Sequence, residues 1–372
     1  MEFIAICGHW YLLLQVLTFF IHYVFAFLCF CDIFATINII LTKTYANSIT
    51  MKKRLLFVLV SAFAFFSVAT AQQKTTLSAN VDGYKRSKVF FDCMQTPMIS
   101  QEFHTNPGEE HIYSFDCEGL VWMNINGNTG VILQPGDSLH VDVVYEGKSA
   151  KVEYSGSERA VNNNRLVKSI ENLKRSLRYK EQLLGCAALD IKPKSRIDDS
   201  RVLLEKAKAL IEKSPASPEA KNYVMAMIEY HVYMSFVEYP VMYASVRGVP
   251  VEEQEIGDYW SIMDDYVLRN DAESMNCAEY ASFLMRYCFY MNEKAAKESG
   301  AAYSMPNMME DMYKELAAFY TGEHRDFVLY ILLRNFILNG REIERADALY
   351  GDYIEKYNNN AFYKGILDML MQ

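Results

Sequence analysis

The apolar period of this chain changes once, close to Ser157, and that change sets its fold class. Before it, apolar side chains recur at every second residue. After it they recur at about every 3.6. The first period belongs to strands with one buried face, the second to helices with one buried stripe. The expected architecture is α+β in two domains. A small antiparallel β-sandwich covers 72–157, and an all-α domain of helical hairpins covers 158–372.

The strand-like runs are TTLSANV, KVFFDCM, MISQEFH, HIYSFDC, LVWMNIN, GVILQ, SLHVDVVYE and AKVEYSG. Turn signals separate them: Asp82-Gly83, Asn106-Pro107-Gly108, Asn126-Gly127-Asn128, Pro135-Gly136-Asp137 and Glu146-Gly147. Closely spaced short strands of this kind make sandwiches or barrels. In SLHVDVVYE, Leu139, Val141, Val143 and Tyr145 alternate with Ser138, His140, Asp142 and Val144, so one face is buried and one is wet.

Beyond Glu158 the segment VNNNRLVKSIENLKRSLRYKEQLLG carries Leu166, Ile170, Leu173, Leu177 and Leu184 at helical spacing. Ser217-Pro218-Glu219 marks a helix start, because Ser caps free amides and Pro at the first position loses no bond. That helix should stop near Pro240. Further helices fit 252–268, 275–296, 307–321, 324–338, 341–357 and 359–371. No strict repeat is visible, so a solenoid is not expected.

Ahead of the body, residues 51–71 have the three parts of a signal peptide. Lys52, Lys53 and Arg54 are the basic start, Leu55 to Val68 the apolar middle, and Ala69-Thr70-Ala71 the small-residue cleavage site. Cleavage after Ala71 would make Gln72 the first mature residue. No Cys follows the site, which points to a soluble product without a lipid anchor. Residues 1–50 have the composition of translated AT-rich non-coding DNA, so Met51 reads as the true start. The alternative is a transmembrane helix over Leu12 to Phe30. Either way the basic residues between the two apolar segments keep that loop in the cytoplasm and place the body outside it. The expected location is the periplasm, with membrane attachment only through an uncleaved N-terminus.

Residues 72–372 hold 33 basic and 44 acidic side chains, a net charge of −11. That balance argues against nucleic-acid partners and anionic membrane surfaces. Five cysteines remain: Cys93, Cys117, Cys186, Cys277 and Cys288. An odd number leaves at least one thiol unpaired within the chain, and no Cys-x-x-Cys occurs. Cys277 and Cys288 on one helix would lie about 16 Å apart along its axis, too far to bridge. Cys93 and Cys117 each end a strand-like run. They either form a structural disulfide or stay as two buried thiols, and the second reading is the simpler one.

Four groups invite a chemical reading. The stripe Tyr223, Met227, Tyr230 and Met234 could line a ligand groove, but core is the default for such a stripe. Glu323-His324-Arg325-Asp326 could do acid–base work, but it follows Gly322, where acidic residues favour a helix start. His140 lies on the wet face of its strand with no second ligand in sight, an ordinary surface histidine. The basic run Lys168, Lys174, Arg175, Arg178 and Lys180, interleaved with Glu171 and Glu181, reads as a solvated helix face. No hydrolase elbow, zinc motif or phosphate loop is present. No catalytic, cofactor-binding or metal residue is therefore assigned, and no cofactor is expected.

The order of the parts resembles a known region. A signal peptide, a small β domain, VILQPGDSLHVDV, and a strand ending in YSGSERAVNNNRL before the helices are similar to the N-terminal region of exported bacterial TlpA-like thiol–disulfide oxidoreductases. The resemblance spans roughly 72–372 and is carried by the Pro-Gly-Asp-Ser and Ser-Gly-Ser…Asn turns. It implies the accessory β and helical regions that precede a thioredoxin domain. That family's redox Cys-x-x-Cys lies in the thioredoxin domain, which has no counterpart before the final MLMQ. No catalytic residue carries over. The resemblance implies an exported, non-enzymatic module that binds an envelope protein or a small ligand. The alternatives are an oxidoreductase whose redox domain is missing or separately encoded, and an enzyme of unrecognised type housed in the helices.

Overall fold

In the computed structural model the described residues are 74–85, 88–93, 99–104, 109–127, 129–147, 149–340 and 343–372. The signal-peptide reading, with its Ala71/Gln72 cleavage, and the reading of residues 1–50 lie outside them. So does the Asn106-Pro107-Gly108 turn.

The strands are β1 (Thr75–Asp82), β2 (Lys88–Cys93), β3 (Ile99–His104), β4 (His111–Phe115), β5 (Val121–Ile125), β6 (Thr129–Leu133), β7 (Ser138–Glu146) and β8 (Ser149–Gly156). They make two four-stranded sheets, ordered β4-β1-β7-β8 and β3-β2-β5-β6. Alternation does what the sequence predicts. On β7, Leu139, Val141 and Val143 are buried while Ser138 and Val144 are exposed. The inner faces share one apolar cluster, with Leu77, Phe91, Met123, Ile125, Leu133 and Val141 at its centre. One pairing departs from the expected antiparallel sandwich: β1 and β7 run parallel, from Thr76↔Ser138 to Asp82↔Val144. Parallel neighbours need a long crossover. Here the crossover is β2 to β6, most of which belongs to the other sheet.

Strand gives way to helix where the period changes: β8 ends at Gly156 and α1 (Glu158–Ser176) follows. Two turns lock together there. Asp137 is 1% exposed. Its carboxylate accepts from Gln134 N (2.8 Å) and from Arg159 Nε (2.8 Å), and Arg159 Nη2 also donates to Pro135 O (2.7 Å). Gly156 sits at φ 128°, and a Cβ there would run into Ser138 O. Only glycine fits such an approach. One turn into α1, Asn163 and Asn164 are fully buried. Asn164 Nδ2 donates to Ile132 O and its Oδ1 accepts from Ile132 N, both at 2.8 Å. The side-chain amide thus occupies the edge of β6 as a further strand would. Asn163 Nδ2 donates to Gln134 Oε1 (2.9 Å), and its Oδ1 accepts from Ser217 N (2.8 Å). The turn motifs noted in the sequence are therefore the joint between strands and helices. Across it, Trp122 stacks on Tyr223, and Leu120 and Ile132 share the apolar cluster of Leu166 and Ile170. The sandwich keeps its own core, yet residues 72–372 form one compact unit.

The remaining helices are α2 (Leu183–Ala188), α3 (Pro193–Lys213), α4 (Pro218–Val237), α5 (Tyr239–Arg247), α6 (Ala278–Ser299), α7 (Met309–Phe319), α8 (Gly322–Leu338), α9 (Ile343–Lys356) and α10 (Ala361–Leu370). The central helix α4 packs on α3 and α6, and α8 packs on α6, α7, α9 and α10. Ser217 caps α4 as expected, its hydroxyl accepting from Ala220 N. Two expectations fail. Residues 252–268 are not an α-helix but irregular backbone with short 3₁₀ turns at Val251–Glu253 and Tyr259–Ser261. Glu255 and Gly257, both at positive φ, break it. The helix expected to run through Leu184 stops at Ser176. α4 ends at Val237, close to Pro240 as expected, and Pro240 itself fits the first turn of α5.

Candidate functional site: the cleft between α2 and α4

The early stop of α1 builds the site. Arg178 takes a left-handed conformation (φ 52°), with its N–H on Arg175 O and the Tyr179 N–H on Lys174 O. This is a Schellman stop with arginine where glycine is usual. The turn swings Tyr179 under Arg196, whose guanidinium lies 4.1 Å from the ring centre. The Tyr179 hydroxyl then contacts Ser200 Oγ (2.9 Å), Ser235 Oγ (3.2 Å) and His231 O (3.1 Å). Arg196, 3% exposed, also donates to Ser235 Oγ (2.9 Å) and to Lys180 O. That buried set fixes the loop carrying Lys180, Glu181 and Gln182 into α2.

On one side of that loop lies a cleft of about 760 Å³. Leu183, Leu184, Gly185 and Ala188 of α2 form one wall. Tyr230, His231 and Met234 of α4, with Glu238 and Met242, form the other. Leu184 is 61% exposed, so its apolar surface faces the opening. A second cleft of about 520 Å³, on the loop's other side, is lined by Lys174, Arg175, Tyr179 and Lys180 with Glu171 and Glu181. The basic run is therefore not all solvated face, because Lys174 is buried. Its ammonium contacts Glu171 and Glu181. Burial works against that charge, but the two carboxylates outweigh burial and raise its pKa.

His231 stands at the floor of the larger cleft with its side chain 13% exposed, Nε2 3.5 Å from Glu181 Oε1. Burial pushes it down, and against the pull of Glu181 the Lys174 and Arg196 charges push it further, to about 4. It is a neutral imidazole at pH 7. Burial would raise Glu181, but its basic neighbours hold that carboxyl below the usual range.

The Tyr/Met stripe divides. Tyr223 is core, whereas Tyr230 and Met234 line the cleft. Glu323 and Asp326 line a different hollow, about 570 Å³, beside Glu118, Glu273 and Asn359. Asp326 is not a cap. It is 2% exposed and accepts from Tyr353 Oη and from Asn359 N (2.7 Å), which ties α8 to the α9–α10 connection. His324 Nε2 bonds to Arg269 O (2.7 Å). His140 has partners the sequence reading lacked: Glu110 at 3.0 Å, Ser78 at 2.8 Å and Asp142 at 3.3 Å. Among the described residues, no group of His, Cys, Asp and Glu is arranged to hold a metal ion.

The five cysteines among the described residues are buried thiols outside any disulfide, so Cys93 and Cys117 are not bridged. Both lie in the sandwich core, and Cys117 Sγ is 3.3 Å from Thr75 Oγ1. Cys277 precedes α6 and Cys288 lies within it. Cys186 sits inside α2. Burial pushes the thiols of Cys117, Cys277 and Cys288 up.

Nothing in the residue pattern marks the turn at Arg178, and that turn is what brings Glu181 and Leu184 beside His231. The usable signal was the pair Tyr230 and Met234, about one helical turn apart on α4. Comparison with protein-family models, curated proteins and solved structures finds no match to this chain.

Proposed function

We propose that the chain is an exported, non-enzymatic binding module, and that the cleft between α2 and α4 is its ligand site. The observation that carries this reading is the cleft itself: an open apolar wall of Leu184, Tyr230, Met234 and Met242 set against His231 and Glu181. Ligand sites combine apolar lining with a few placed polar groups in this way. The buried set around Tyr179 and Arg196 holds the loop before a ligand arrives, which lowers the ordering cost of binding. The signal-like segment 51–71 supports export. A redox role finds less support, because catalysis by thiol needs an accessible thiolate, and these thiols are buried, three of them pushed up.

The test uses the neutral fluorescent probe N-phenylnaphthylamine. It should bind saturably at one site, and Leu184→Glu should weaken it several-fold, because that change removes apolar wall at an exposed position where the fold tolerates it. Absence of saturable binding, or binding indifferent to Leu184→Glu and Met242→Gln, contradicts the reading.

A further inference from the structure

The charges facing the α2–α4 cleft are all of one sign. Glu181 and Glu238 line it, and no lysine or arginine does. Lys174 faces the neighbouring cleft, where it is shared by Glu171 and Glu181. Arg286 pairs with Glu238 but is buried, its side chain 7% exposed, and does not line the cleft. His231 adds no charge at neutral pH. The Tyr230 hydroxyl is pushed up by burial and then by Glu279, Glu181 and Glu238, so three carboxylates act on this ring. An aromatic face near carboxylates attracts a cation, and two thioethers beside it adapt to an apolar chain.

We propose that the cleft takes an organic ammonium with an apolar body, an alkyl or aryl amine whose cation faces Glu181 and Glu238 while its chain lies along Leu184, Met234 and Met242. This rests on the cleft being the binding site. An anionic amphiphile of the same length is rejected there, because its charge would meet two carboxylates with no cation on the wall.

The experiment is calorimetry on the full chain at low salt with n-octylammonium, n-octanoate and n-octanamide, all below their micelle concentrations. The ammonium should bind at least about tenfold more tightly than the carboxylate, and added salt should narrow that gap. Glu181→Gln and Glu238→Gln should each weaken it by about three- to tenfold. Glu238→Gln strips Arg286 of its partner, so Leu184→Lys, at an exposed position, is the variant that keeps the test clean. It should reverse the preference towards octanoate. Equal binding of amide and ammonium, or octanoate binding as tightly as the ammonium, overturns the charge assignment while leaving the cleft as the site. Binding of none of the three overturns the site as well.

Discussion

Asn164 shows how much one side chain can hold. Its amide closes the edge of β6 through two 2.8 Å bonds to Ile132, and it also donates to Ala160 O. Asn164→Ala should cost about 2–4 kcal/mol, since it leaves a buried N–H and C=O without partners. Denaturant unfolding measures that loss, and a cost near zero would mean water replaces the amide. His231 makes a pH-dependent contribution of definite sign. Its folded pKa of about 4 lies below the ordinary 6.5. The stability this difference provides is complete above about pH 6.5 and is lost as pH falls toward 4. Between pH 7 and pH 5 the loss should be about 2 kcal/mol, and it should be absent in His231→Gln. Comparing the two proteins isolates this group from Glu229 and Asp326, whose raised pKa values act in the opposite direction.

Among the elements, the turn after α1 decides the most. Arg178 carries the strain of a left-handed backbone on an exposed side chain. Arg178→Gly should therefore stabilise the fold by about 0.5–1 kcal/mol, and Arg178→Val should destabilise it, as read from unfolding midpoints. Nothing in the sequence announces this turn. The apolar spacing continues through Leu177 to Leu184, and a left-handed arginine has no composition signal. What ends the helix is tertiary: the slot under Arg196 that receives Tyr179. The same limit applied to 252–268, where helix-like spacing gave way to Glu255 and Gly257 at positive φ. The helix α3 was not identified, although Pro193 at its start and Leu203, Ala207 and Ile211 along its buried side were there to read. The strands of the sandwich were legible because burial on one face imposes a period of two that turns punctuate. Their pairing was less so, since alternation is identical for parallel β1–β7 and for a hairpin. The joint was visible as Pro-Gly-Asp-Ser and Asn-Asn-Asn, but its role was not, because those residues act on partners far along the chain.

At the scale of the whole molecule, the buried joint makes sandwich and helices one unit, and the helical part carries an apolar cleft beside a loop fixed by the half-buried Tyr179 and the buried Arg196. The central claim is that a ligand enters this cleft and no other hollow. Methyl-labelled methionine spectra of the full chain test it most directly, because methionines line the site and also occupy distant positions. On titration with N-phenylnaphthylamine or n-octylammonium, the methyl resonances of Met234 and Met242 should shift in a saturable way. That of Met123, buried in the sandwich core, and that of Met275, beside the hollow at Glu273 and Glu323, should stay put. Saturable shifts at Met275 with Met234 and Met242 unmoved would contradict the account.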